Sequence, residues 1–109
     1  MRLSAYRIMW VFVFFDLPVD TKALRKEYTR FHKGLQKQGF EMLQYSVYIR
    51  HAPSLEAAQA HVKRIENILP KAGKVSIMLV TDKQFERIKH YWGVEKIDPP
   101  GAPQQIAMF

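Results

Sequence analysis

Met9 to Phe15 is an unbroken apolar run, Met-Trp-Val-Phe-Val-Phe-Phe, rich in β-branched and aromatic side chains. Such a run suits a strand covered on both faces rather than one with a wet side, and predicts the central strand of a sheet. Asp16-Leu-Pro-Val-Asp20 follows as a turn, because Pro18 lacks a ladder donor, and Asp20 or Thr21 can cap a helix from about Thr21 to Gln38 that Gly39 stops. Phe40 to Arg50 reads as a strand or hairpin arm, with Leu43, Tyr45, Val47 and Ile49 on one side and Met42, Gln44, Ser46 and Tyr48 on the other. Pro53-Ser54 opens a second helix that runs to Leu69, where Leu55, Ala58, Val62, Ile65 and Leu69 make one apolar stripe. After a turn at Lys71-Ala-Gly-Lys74, Val75, Ile77 and Leu79 alternate with Ser76 and Met78 along a strand ending near Thr81. Asp82 to Trp92 reads as a short helix, capped by Thr81 or Asp82, that buries Phe85, Ile88 and Trp92.

Strands alternating with helices in this way predict an α+β, ferredoxin-like βαββαβ domain over residues 1–92, with both main helices on one face of the sheet and a short helix after the last strand. The first strand is apolar on both faces, so its other face is expected to meet a second subunit in a homodimer. Residues 93–103, with Pro99, Pro100, Gly101 and Pro103, read as an irregular linker, and Gln104 to Phe109 as an extra edge strand on an arm able to reach a partner.

A chain of 109 residues is one domain with one modest core, and 48% hydrophobic with 25% charged residues is a globular balance. The longest apolar run, Ile8 to Phe15, falls short of the roughly 20 residues that cross a bilayer. Asp16-Leu-Pro stands where a signal peptide would need small residues, so no export is expected. Zero cysteines remove disulfides, thiolate metal sites and cysteine nucleophiles together, and fit a cytoplasmic protein. The net charge of +7 favours an anionic partner such as nucleic acid. Residues 1–50 hold nine bases and four acids, against eight and six in 51–109, so the excess sits in the first half.

The first helix concentrates it further. At 100° per residue, Lys22, Lys26, Arg30, Lys33 and Lys37 fall within about 80° of one another, opposite Leu24, Tyr28, Phe31 and Leu35. A solvated stripe is the plainer reading, but five bases diluted only by Glu27 repel one another, and a phosphate backbone would relieve that repulsion. Asp16, a carboxylate ending a central strand, is placed as a Mg²⁺ ligand would be, or as a turn residue accepting backbone N–H bonds. One carboxylate makes a poor metal site, so a competent one would need Asp16 from two subunits or oxygens of a bound phosphate. Tyr45, Ser46, Tyr48 and Arg50 could contact phosphate from the second strand, with Tyr45 as readily core. His32, His51, His61 and His90 show no metal-ligand spacing, and the glycines form no GxGxxG or GxxxxGK loop.

Taken together, Trp10-Val-Phe-Val-Phe-Phe-Asp16-Leu-Pro, the basic helix, Gln44-Tyr-Ser-Val-Tyr48-Ile-Arg50, Val80-Thr-Asp-Lys-Gln-Phe85 and a Pro-rich tail ending in Gln104-Gln-Ile resemble the CRISPR-associated adaptation family Cas-two. The likeness is greatest to the version found beside the single large effector nuclease of type II systems. The resemblance implies a symmetric dimer whose C-terminal strand extends the partner's sheet, and a bridge between two dimers of the Cas-one integrase during spacer capture. It also implies Asp16 as the metal ligand of a Mg²⁺-dependent endonuclease acting on RNA or duplex DNA, an activity disputed for the family. Some eight residues precede the first strand, where the family usually starts almost at once.

Two classes of function follow. One is a dimeric scaffold that holds double-stranded DNA across basic stripes and positions the integrase. The other is a phosphodiester hydrolase built on Asp16. The inventory favours the scaffold, being rich in bases and offering one strong carboxylate without an evident general base. An RNA-binding module of the RNP type lacks its K/R-G-F/Y-G/A-F signature here.

Overall fold

The computed structural model describes residues 8–93 and 95–97. Strand β1 (Met9–Asp16) is followed by helix α1 (Lys22–Lys37), strands β2 (Glu41–Gln44) and β3 (Val47–Ala52), helix α2 (Leu55–Glu66), strand β4 (Lys74–Thr81), helix α3 (Asp82–Glu86), and strands β5 (His90–Trp92) and β6 (Glu95–Ile97). The first four strands form one antiparallel sheet in the order β2-β3-β1-β4. As its apolar run predicts, β1 is central: Val13 lies opposite Tyr48 on one side and Ile77 on the other.

The period of two in β1 divides its side chains between two cores. Val11, Val13 and Phe15 face the layer of α1 and α2, where they pack with buried Phe31, Leu35, Ala58 and Ile65. Burying each large side chain there contributes about 1.5–3 kcal/mol. Phe12 lies on the opposite face with Ile49 and with Phe85 of α3, joined by half-buried Trp10, Phe14, Leu43, Val47 and Val80. The Trp10 indole donates to Asp82 Oδ1 at 2.6 Å while its ring stacks on Phe85 with centroids 3.9 Å apart. α3 thus caps one end of that face, and Met78 further along it stays 44% exposed.

Helix limits follow the expected chemistry. The Thr21 side chain accepts from Leu24 N–H and Gln38 caps the other end of α1. Gly39 then continues at φ 85°, and a Cβ there would sit 2.7 Å from an Arg50 guanidinium nitrogen. Ser54 caps α2 and Thr81 caps α3, the latter in a reciprocal box with Gln84.

The Phe40–Arg50 arm is the hairpin that a βαββαβ domain needs, turning at Tyr45-Ser46, where Ser46 adopts φ 63° and the register between β2 and β3 shifts. Four expectations are corrected. At that turn Tyr45 leaves the series of Leu43, Val47 and Ile49 and is 77% exposed rather than core, while Tyr48 and Ile49 are buried on opposite faces. α2 spans Leu55–Glu66, so Leu69 falls beyond it, and both Leu69 and the helix's first residue Leu55 are exposed. α3 lasts five residues and buries Phe85 alone, leaving Ile88 and Trp92 exposed. Beyond it, His90 to Trp92 turn at Gly93 (φ 59°) and pair with β6, so regular structure enters a stretch expected to be irregular. The expected edge strand at Gln104 to Phe109 lies outside the described residues.

Candidate nucleic-acid interface

Lys22, Lys26, Arg30, Lys33 and Lys37 are all exposed along α1, whose opposite side buries Phe31 and Leu35. The helix rises about 22 Å from Lys22 to Lys37, roughly two-thirds of a turn of B-form duplex. Arg30 differs from the lysines. Its guanidinium grips Glu27 through two bonds of 3.0 and 3.2 Å and reaches the Leu69 carbonyl at 3.3 Å. The Arg30 hydrogen bond holds the Glu27 carboxyl below its ordinary range. Among the described residues, the lysines of the stripe have no acid partner, so their charge faces solvent and is open to an anion.

Asp16 ends β1 on an open groove of about 370 Å³, lined also by Phe14, Phe15, Tyr45, Ser46, Val47, Lys74 and Ser76. Three local features shape it. Antiparallel register sets Lys74 opposite Asp16. Gly73, at φ 92°, lets the approach to β4 run close under the end of β1, where a Cβ would stand 2.7 Å from the Asp16 carbonyl and 2.8 Å from Leu17 Cδ2. The Ser46 carbonyl accepts from Phe15 N–H at 3.1 Å, tying the β2–β3 turn to β1. From α1, the Tyr28 phenol lies near the side chains of Tyr45 and Ser46, and burial raises its pKa.

Asp16, Tyr45 and Ser46 therefore come together, while Tyr48 and Arg50 stand elsewhere. Tyr48 is buried in the helix-side core with its hydroxyl 3.3 Å from His32 Nδ1, and burial raises its pKa. Arg50 donates to the carbonyls of Gln38 and His51, closing the end of α1. Lys74 and Ser76 line the groove, and the sequence pattern does not mark them for it. The alternation of β4 places Ser76 and Met78 on one face, but a turn lysine gives no sign of the strand it will face.

Mg²⁺ requires about six oxygens, usually with more than one carboxylate or phosphate among them. One chain offers Asp16 with a lysine opposite, and no group of three histidines or acids gathers among the described residues. These residues do not by themselves fit the ion.

The family model for CRISPR associated protein Cas2 matches residues 9–88. The chain is 44% identical over 108 residues to the CRISPR-associated endoribonuclease Cas2 of Flavobacterium psychrophilum, covering 99% of this chain and 94% of that one. It is 48% identical over 101 residues to the protein of the same name from Parvibaculum lavamentivorans, covering 93% of this chain and all of the other. A solved structure described as the crystal structure of cas2 superposes with a TM-score of 0.55 at 23% identity, over 92% of this chain and 99% of that one, a likeness of fold. With its central β1, its antiparallel sheet under two helices and a family match running from Met9 to Ile88, this chain belongs to the Cas2 family.

Proposed function

We propose that this protein is a scaffold of CRISPR adaptation, in a type II-like system, that holds protospacer duplex DNA and bridges dimers of the Cas-one integrase. The observation that carries the reading is the line of lysines without acid partners on α1, set against a single carboxylate at Asp16. Such a line of lysines neutralises duplex phosphates and releases their condensed counterions into solution, giving affinity without sequence preference, as a spacer-capturing protein needs. The succession β-α-β-β-α-β in the sheet order β2-β3-β1-β4 supports a ferredoxin-like description. Exposed Met78 and half-buried Phe14 and Val47 on the face away from α1 and α2 support a homodimer. No helix among the described residues is long and apolar enough to cross a membrane, consistent with a cytoplasmic place of action.

A second reading has its own support: relatives bear the name endoribonuclease, and Asp16 stands in a groove with hydroxyls and a lysine. In that reading the chain is a Mg²⁺-dependent endonuclease of RNA or duplex DNA, with the remaining oxygen ligands coming from a second Asp16 or the substrate. Asp16→Asn separates the two, since it nearly preserves shape while removing the charge. We expect duplex binding and spacer acquisition in cells to stay near wild type, with any Mg²⁺-dependent cleavage lost. Acquisition lost with folding and duplex binding intact would make hydrolysis the function.

A further inference from the structure

We propose that Glu27 is a built-in brake on the basic face of α1: it holds the Arg30 guanidinium off a bound polyanion, so that duplex DNA is gripped more weakly than the five bases of the helix would dictate. The inference rests on the reading of α1 as a duplex-binding surface and names the residue that sets how tightly that surface holds. At 100° per residue Arg30 lies at one edge of the stripe, and Glu27, three residues earlier, stands about 60° further out on that same side. From there its two carboxylate oxygens take Nε and Nη2 of Arg30 at 3.2 and 3.0 Å. Nη2 also donates at 3.3 Å to the carbonyl of Leu69, in the segment that joins α2 to β4. The guanidinium is thus fastened at two points, one on its own helix and one beyond it.

Among the described residues this is the one ion pair, and it falls on the one arginine of the stripe. That choice matters chemically. An arginine fork takes two oxygens of a phosphate side by side, which a lysine ammonium does not. A carboxylate presents the same pair of oxygens, so Glu27 and a phosphate compete for one set of donors. Folding gives little reason for the pair: at i and i+3, with side chains 45% and 32% exposed, it adds little to the stability of the helix. The same exposure leaves the guanidinium within reach of a ligand lying across Lys26 and Lys33, its neighbours at i−4 and i+3. Glu27 therefore withholds the best phosphate ligand of the stripe while leaving its four lysines without an acid partner.

The test compares the full-length protein with Glu27→Gln, Arg30→Ala and the variant carrying both changes. It measures affinity for blunt duplex DNA over a range of salt concentrations, and the salt at which each protein elutes from heparin, a polyanion that is not nucleic acid. Both side chains lie outside the core, so neither change disturbs the packing of Phe31 and Leu35. Glu27→Gln should steepen the salt dependence by about 0.9, one phosphate more, which over a tenfold fall in salt is about eightfold in affinity. In the Arg30→Ala background the same change should move affinity by less than about twofold, because no guanidinium is left to release. A gain of equal size in both backgrounds would mean that Glu27 acts only through its negative charge, and overturns the proposal. So does Glu27→Gln that binds duplex as wild type does at every salt concentration. On heparin Glu27→Gln should elute last and the double variant together with Arg30→Ala. If wild type binds no duplex, the scaffold reading falls, and the heparin order still decides this inference, since Glu27→Gln eluting with wild type overturns it.

Discussion

Arg50 illustrates how much a residue's type leaves open. A guanidinium on a strand of a basic chain suggests phosphate, but its fork can equally be filled by backbone carbonyls, and here Gln38 and His51 fill it. Arg50→Ala should lower unfolding stability by about 1–3 kcal/mol in denaturant titration, through the orphaned carbonyl at the end of α1, and leave duplex affinity nearly unchanged. Asp16 stands out as a candidate because a carboxylate ends an apolar run; the place of Tyr28 near Tyr45 and Ser46 does not, because an aromatic on the inner side of a helix has the same signature as core. His61 carries a pH dependence that its spacing did not announce. Its Nδ1 lies 2.7 Å from Arg64 Nη1, which can donate only to an unprotonated ring, and burial followed by the charges of Arg50 and Arg64 lowers its pKa below 6.5. The unfolded chain therefore binds a proton near pH 6.5 that the folded chain refuses. This contribution to stability is full above that value and is lost as pH falls toward the folded one. His61→Gln should flatten the acid side of the melting-temperature profile, with His90, whose pKa burial also lowers, supplying what slope remains.

At the scale of elements, α1 was readable from end to end because periodicity, cap and stop agreed: Thr21 opens it, Gly39 follows it, and its bases and apolar residues occupy opposite sides. What the pattern could not show is that Arg30 turns to Glu27 and Leu69 instead of to solvent. Replacing Lys26, Lys33 and Lys37 with Ala should weaken duplex binding across all sequences and flatten its salt dependence by about 0.9 for each phosphate that is no longer neutralised. Arg30→Ala should change that slope little. Binding isotherms over a range of salt concentrations distinguish them. The β5–β6 hairpin escaped detection for a physical reason: strands of three residues have too few positions to establish a period of two, and Tyr91-Trp92 after a helical start continue an apolar helix pattern equally well. Gly93 was the available turn signal, lost among the prolines that follow it.

For the whole molecule, the alternation of strands and helices announced a sheet covered on one face by α1 and α2, and α3 covers part of the other face, which the two-sided apolar character of β1 assigned to a second subunit. Between Phe14, Val47 and Met78 that second face remains open enough to carry a subunit interface. Met78→Asp places a charge on it without entering the core, and sedimentation should show a dimer converted to monomer with melting of the monomer fold unaffected. A wild-type chain that sediments as a monomer would count against the proposed homodimer, and an unchanged dimer would place its contact elsewhere. The central position of β1 also bears on how the chain is made. In the sheet Phe15 pairs with Val75 and Met9 with Thr81, so the most apolar segment emerges from the ribosome first and gains its second neighbour only when β4 has been synthesised. At ~5–20 residues per second this leaves Met9 to Phe15 half-paired for several seconds, without Pro, Gly or charge to discourage pairing with another nascent chain. On the scaffold reading, binding strength and yield of soluble protein would thus be set by different parts of one fold, the former by an outer helix and the latter by how soon the last strand of the sheet reaches the first.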